Sequence, residues 1–171
     1  MAGDHLLKSW SIWVDGIGKA GNAKDYTPPA LSVKTVAFQA GDMDMPIPVD
    51  DGMEAMETSF SIYGVDKSIL PLFGFQAGTN TAVSVRSVYT DTSGSTDEVV
   101  EAMRGLITKI ERDAQDSGSQ RDKAMKVTMQ LNYYKMSWAG LVLVEIDPVN
   151  HIRNFGGVDA LAAIRAAMML T

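Results

Sequence analysis

The stretch "KAMKVTMQLNYYKM" (residues 123–136) alternates along its length. Met125, Val127, Met129, Leu131 and Tyr133 fall on one side of an extended chain, and Lys126, Thr128, Gln130 and Asn132 fall on the other. A two-residue period belongs to a strand that packs one face and wets the other. A helix would scatter the same side chains around its circumference. The wet face also selects the sheet type, because antiparallel sheets tolerate one and parallel sheets are covered on both sides. The stretch predicts a long half-buried strand in an antiparallel sheet.

Neighbouring segments extend that sheet. "WAGLVLVEID" (138–147) reads as a turn at Ala139-Gly140 followed by a more fully buried strand. "TAVSVRSVYT" (81–90) places Val83, Val85 and Tyr89 on one face. In "EAMETSFSIYG" (54–64), Met56, Phe60 and Ile62 oppose Glu57, Ser59 and Ser61. "WSIWV" (10–14) and "ALSVKTVAF" (30–38) are strand-like as well. Between the last of these and residue 54 lies "AGDMDMPIPVDDGM" (40–53), read as a long extended loop rich in aspartate, methionine and proline. Shorter polar loops fall at 91–96 and 113–120.

Helical signals are fewer. "GGVDALAAIRAAMML" (156–170) aligns Val158, Leu161, Ile164 and Met168 in one stripe, with Asp159 suited to a first turn. It predicts a helix at about 157–169. "DKSILPLFGF" (66–75) predicts a short helix limited by Pro71. In "DEVVEAMRGLITKIERD" (97–113), Val99, Met103, Leu106 and Ile110 follow a helical period, so periodicity favours helix. Gly105 and the adjoining strands argue against it. The elements together predict a mainly β, α+β chain: an antiparallel sandwich or split barrel with a C-terminal helix, in a single domain over residues 1–171.

Composition narrows the function. The chain has 15 Lys and Arg against 21 Asp and Glu, a net charge of −6, which argues against a basic nucleic-acid-binding surface. It has no cysteine, so disulfides, thiolate zinc sites and cysteine nucleophiles are excluded. No apolar run reaches membrane-spanning length, and the first residues show no secretion signal. Eleven methionines point to adaptable packing surfaces.

The chemical motifs fail on context. Gly16, Gly18 and Gly21 match G-x-G-x-x-G, but Pro28 and Pro29 leave no room for the long helix a dinucleotide site requires. Asp15-Gly16 reads better as a turn. The aspartates of residues 42–51 do not follow calcium-loop spacing, since Pro46 and Ile47 stand where a ligand and a glycine belong. His5 and His151 are too few and too distant for a catalytic zinc site, and a turn is the expected place for His151. The carboxylates Asp50, Asp51, Glu54 and Glu57 read as a solvated face. No catalytic, cofactor or metal residues are assigned, and no cofactor is expected.

Three stretches carry a resemblance. "GDMDMPIPVDDGMEAMETSFSIYG" (41–64), "YYKMSWAGLVLVEIDPVN" (133–150) and "RNFGGVDALAAIR" (153–165) resemble, in wording and order, the major tail tube proteins of contractile-tailed bacteriophages and the tube protein of R-type pyocins. The resemblance runs from about Ile12 to the C-terminus. It implies a non-enzymatic structural subunit of hexameric rings stacked into a tube. Each subunit would give four strands to a continuous 24-stranded β-barrel. The 97–113 segment is a strand in that fold, against its helical period. The resemblance also implies a surrounding contractile sheath, a tape-measure protein, a baseplate, and DNA passing through the lumen without specific binding. Localisation would be the virion tail tube, assembled in the host bacterial cytoplasm.

Elementary geometry is compatible with this. Strands about 4.8 Å apart and tilted about 45° would close at a diameter of ~50 Å. The lumen of ~40 Å left after side chains would pass a duplex about 20 Å across. Six copies at −6 each would carry −36, and an inward share of that charge would repel phosphates. Glu57, Ser59, Ser61, Thr128, Gln130 and Asn132 are the expected lumen-facing residues, with Lys126 a basic exception. The resemblance implies that the long loop reaches a neighbouring subunit, so Met43, Met45, Pro46 and Ile47 are the expected subunit-interface residues; exposed apolar side chains on a proline-stiffened loop would otherwise be a liability. A pyocin-like injection tube without DNA, and a small-ligand-binding β-sandwich using the glycine loop, remain the alternative readings.

Overall fold

The computed structural model describes residues 5–74, 80–118 and 120–170. Its strands are β1 (Leu6–Val14), β2 (Ile17–Gly18), β3 (Ala23–Thr27), β4 (Val33–Phe38), β5 (Ile47–Met53), β6 (Met56–Tyr63), β7 (Thr81–Thr90), β8 (Thr96–Arg112), β9 (Ala124–Trp138), β10 (Leu141–Asp147), β11 (Ile152–Phe155) and β12 (Val158–Asp159). A helix, α1, spans Ala162–Ala167, and single 3-10 turns lie at Leu70–Leu72 and Gln120–Asp122. The pairings between these strands are antiparallel, as the wet face of residues 123–136 required.

Strand β9 is where the sheet forks. One edge pairs with β8 along nearly its whole length, from Trp138 opposite Val99 to Met125 opposite Arg112. The other edge is shared. Its first half pairs with β6, from Ala124 to Leu131, and its second half with β10, from Tyr134 to Trp138. The division falls at Asn132, where the β8–β9 register slips. One extra residue inverts the alternation beyond it. Met125, Val127 and Met129 are buried as the pattern predicts, but past the slip it is Tyr134 that enters the core, and Tyr133, expected inside, is half-buried on the outer face. Gly105 stands at the same slip. A Cβ there would lie 2.0 Å from the carbonyl oxygen of Gln130, so this position accepts only glycine.

Residues 97–113 form a strand, as the resemblance implied and against their helical period. The inward residues are Val99, Glu101, Met103, Gly105 and Ile107. A second slip at Thr108 then brings Ile110 toward the core. One inserted residue, Thr108, shifts the apolar period of two, and the partly exposed Leu106 on the outer face completes the helical spacing. The buried acid Glu101 further hides the alternation. It accepts a hydrogen bond from Tyr134 Oη at 2.6 Å.

The curled sheet encloses a core of Ile12, Val14, Phe60, Ile62, Val83, Val85, Met103, Ile107, Met125, Val127 and Met129. Trp10 of β1 and Tyr26 of β3 approach to 6.3 Å between ring centroids and join the two ends of the curl. Burial, then the nearby Glu101 carboxylate, pushes the Tyr26 phenol far above its ordinary range. Lys19, in the glycine-rich turn, is fixed to Asp66 at 2.6 Å and donates to Ser68 Oγ at 2.7 Å, with both charges nearly buried.

Three expectations change. Residues 40–53 are only partly loop: β5 pairs with β4 in a two-stranded arm separate from the main sheet. Its alternation was masked because neither face is buried, and Pro48 is tolerated because each arm strand has a free edge. The helix expected at 157–169 is limited to Ala162–Ala167, since Val158 and Asp159 pair with β11. Asp159 accepts from the Arg153 and Leu161 backbone amides and from Arg165 Nη1. The helix expected at 66–75 reduces to the turn at Leu70–Leu72; its last residue, Phe75, lies outside the described residues.

Candidate assembly surfaces

The outward face of β3, β6, β9 and the second half of β8 is polar and ordered in rows. Register places Asp25, Ser61, Lys126 and Glu111 in one row across the four strands. Thr27, Ser59, Thr128 and Lys109 form the next. Glu57 and Gln130 follow, with Gln130 Nε2 donating to Glu57 Oε2 at 2.5 Å. Five of the six residues expected on a wet face therefore share it. Glu57 is exposed, Ser59, Thr128 and Gln130 are half-buried, and Ser61 is only 5% exposed between the longer Asp25 and Lys126. Asn132 sits apart from the rows, at the slip where the face changes.

The sequence reading missed Asp25 and Thr27 because the short "AKDYT" segment shows little apolar alternation. It missed Lys109 and Glu111 because their segment reads as helical. These four change the electrostatics. The rows carry Asp25, Glu57 and Glu111 against Lys109 and Lys126, three negative and two positive charges, and Lys24, over the Tyr63 ring at their end, adds a third cation. Lys109 Nζ lies 2.8 Å from Glu111 Oε1 and, with a smaller contribution from Lys126, holds that carboxyl below its usual range. Lys126 is thus no isolated exception, because Glu111 stands opposite it in the register.

Both edges of this four-stranded unit are open. Among the described residues β3 pairs only with β6, and β8 beyond the Phe73–Ile107 bridge pairs only with β9. Three successive antiparallel pairings make β3 and β8 run in opposite directions. The β8 edge of one copy would therefore meet the β3 edge of another antiparallel.

The arm is apolar and uncovered. Val33, Val36, Phe38, Met45, Ile47 and Val49 are all more than two-fifths exposed, Met45 reaching 68%. At the tip Met43 turns inward: its amide donates to Ala40, its carbonyl accepts from Gln39 Nε2, and its sulfur accepts from the Ala40 amide. Met45, Pro46 and Ile47 point to solvent. Near the arm's base Arg153 of β11 makes a two-pronged ion pair with Asp50, which holds that carboxyl below its usual range.

The glycine motif has no phosphate-binding geometry. Asp15 and Gly16 both have positive φ and make the two-residue turn between β1 and β2. Gly18 lies against Trp13, whose Nε1 would be 2.8 Å from an added Cβ. After Gly21 the chain enters β3, not a helix. His151 sits in the turn between β10 and β11 with φ 52°. Among the described residues no three His, Cys, Asp or Glu side chains gather as a metal site would require.

A forked antiparallel sheet with polar rows, open edges and an apolar arm is the architecture of an assembly subunit. The fold matches that class. It superposes with a TM-score of 0.58 on a chain of the extended sheath-tube complex of the PVC extracellular contractile injection system, at 8% identity over 75% of this chain and 87% of the other. It superposes at 0.60 on a chain of the anti-feeding prophage tube-terminating cap, at 10% identity over 80% and 94%.

Sequence relationships make the assignment particular. Residues 4–168 match the family of phage tail tube protein FII. The chain is 30% identical over 166 residues to the tail tube protein of Escherichia phage P2, covering 94% of this chain and 95% of that protein. It is 30% identical over 155 residues to the major tail tube protein of Serratia phage KSP20, covering 89% and 88%. The chain belongs to the phage tail tube protein FII family and is a structural component of the virion tail.

Proposed function

We propose that this chain forms hexameric rings that stack into the inner tube of a contractile tail, in which strands β3, β6, β9 and β8 of each copy join a continuous 24-stranded barrel. The observation that carries this reading is the four-stranded unit with two open edges of opposite direction and one polar face. Ring closure removes the exposed edges that would otherwise invite indiscriminate pairing. The inward face would present Glu57, Ser59, Ser61, Thr128 and Gln130, with Asn132 at the end of the rows. A face whose acids and cations nearly balance gives a duplex or a tape-measure protein little to adhere to. The role is structural, without catalysis.

The arm makes the contacts between copies. Met45, Pro46 and Ile47 supply the apolar surface, and Met43 shapes the tip. A contractile sheath surrounds the tube and a baseplate starts it. This reading is supported by the likeness to chains from a sheath-tube complex and from the anti-feeding prophage baseplate.

Electron microscopy of the purified chain is expected to show hollow tubes with six-fold symmetry. Single cysteines at Ser59 and Thr128, in a chain with none of its own, should react with small reagents in tubes but be shielded from bulky ones. Equal reaction with both in intact tubes overturns the lumen assignment. Deleting residues 43–47 should leave soluble, folded subunits that do not polymerise. Nucleic acid in ejecting particles separates a DNA conduit from an injection tube that carries none.

A further inference from the structure

Beyond the fork, the outward face of β1, β7, β8 and β9 differs in chemistry from the polar rows. Trp13, Ser84 and Ala102 are successive cross-strand neighbours there, as are Ala82, Arg104 and Tyr133. The small side chains Ala82, Ser84 and Ala102 leave an open groove of about 290 Å³, walled by Tyr133 and Arg104. The Arg104 guanidinium lies over the Tyr133 ring, 4.5 Å from its centroid, and the Arg86 guanidinium lies 5.3 Å from the Trp13 ring centroid. Lys135 stands between Ala102 and Glu145 in the register. Of the acids on this face, Glu145 accepts from Tyr133 Oη and Glu98 stands at the far end of the ladder. Among the described residues neither arginine makes an ion pair with a carboxylate.

A guanidinium is weakly hydrated, and stacking on an aromatic face limits its rotamer freedom. That prepares them to accept carboxylates at low ordering cost. The matching surface is on the same chain. The arm tip carries Asp42 and Asp44, both exposed and without an ion pair among the described residues, next to the exposed Met45. The arm's own bonds to the body reach β11 through Arg153, and none reaches β1, β7, β8 or β9. One chain therefore presents a groove whose two arginines make no ion pair among the described residues, and an acidic tip that it does not bring to them.

We infer that this groove receives the arm tip of a second copy, with Asp42 and Asp44 facing Arg86, Arg104 and Lys135, and Met45 lying over the small residues of the groove floor. The inference rests on the tube reading and adds the receptor for its arm. Opposite charges fix which surface the tip selects and speed its capture. Exposed apolar contact alone would not discriminate among the chain's many apolar patches.

The test uses the full chain. Arg104→Glu together with Arg86→Glu should slow tube growth at least tenfold, with the unfolding midpoint of the free subunit preserved. Asp42→Lys with Asp44→Lys should do the same. Combining all four should restore growth, because the pairing is then inverted, and failure of the combined variant to recover overturns the proposal. If the charge-reversed subunit does not fold, cross-linking decides. Asp44→Cys with Ala102→Cys, in tubes treated with a short bismaleimide, should give a covalent ladder that neither single variant gives. Tubes that form without a ladder overturn the proposal. Tubes lost on deleting 43–47 but unaffected by Arg86→Glu/Arg104→Glu would leave the arm reading standing and remove this one. Tubes that survive the deletion would remove both.

Discussion

The sheet β3–β6–β9–β8 and the arm β4–β5 are both antiparallel, yet they stand in opposite relations to water. In the sheet, Phe60, Ile62, Val127 and Met129 are fully or almost fully removed from solvent within one copy. In the arm, Val36, Phe38, Ile47 and Val49 are as apolar and remain exposed. The sheet carries the stability of the subunit, and the arm holds apolar surface that the subunit itself does not bury. Burying a large apolar side chain contributes about 1.5–3 kcal/mol. That contribution belongs to folding in the first region and, under the proposed tube function, to assembly in the second.

The sharpest way to break this contrast is in the core. Phe60→Ala should cost the free subunit about 3–5 kcal/mol in urea unfolding. A cost below about 1 kcal/mol would mean that the sheet does not hold the subunit together. Next in size, Lys19→Met leaves the nearly buried Asp66 without its cation and should cost about 2–3 kcal/mol. Hydrogen bonding to Lys19 and Ser68 holds the Asp66 carboxyl at about 2 despite the opposing effect of burial. A depressed acid contributes stability above its unfolded value near 4 and loses it as pH falls through the folded value. The parent should therefore lose stability between about pH 4 and pH 2 by more than Lys19→Met does. Equal acid sensitivity would contradict the pairing.

Gly105→Ala should cost about 2 kcal/mol, because the added methyl meets the Gln130 backbone and one strand must move. Amide exchange should rise on both sides of the slip, and an unchanged exchange pattern would show that the fork does not depend on this contact. Ile47→Ala in the arm should change free-subunit stability by less than about 0.5 kcal/mol while raising the concentration needed for tube growth. The smallest effect is expected from Arg153→Ala. It should leave the melting temperature almost unchanged but speed exchange of β4 and β5 amides, and unaltered exchange there would mean that the ion pair to Asp50 does not hold the arm.

Much of the sheet is visible in local pattern. "KAMKVTMQL" reads correctly because its alternation is unbroken and its partners are equally regular. Ala139-Gly140 and Asp15-Gly16 read correctly because both residues of each turn adopt positive φ, and glycine supplies the second. The pattern misleads where an extra residue enters a strand. Tyr133 and Tyr134 exchange sides at the slip whose extra residue lies in β9, and β8 takes on a helical period at the other, through Thr108. The second arm strand, β5, is missed for a different reason: with neither face buried in the subunit, no alternation is imposed on it.

The residues that could form a wet face are likewise legible, but not which of them share it. Glu57 and Gln130 are 73 positions apart and hydrogen-bonded. Lys126 looks like an exception until register sets Glu111 across from it. By itself the sequence determined an antiparallel, mainly β chain without thiol chemistry, because period, turn residues and composition act locally. Only the tertiary structure decided where the sheet forks, which charges offset one another, and that a groove of stacked arginines faces outward, because each depends on the register between strands far apart in the chain.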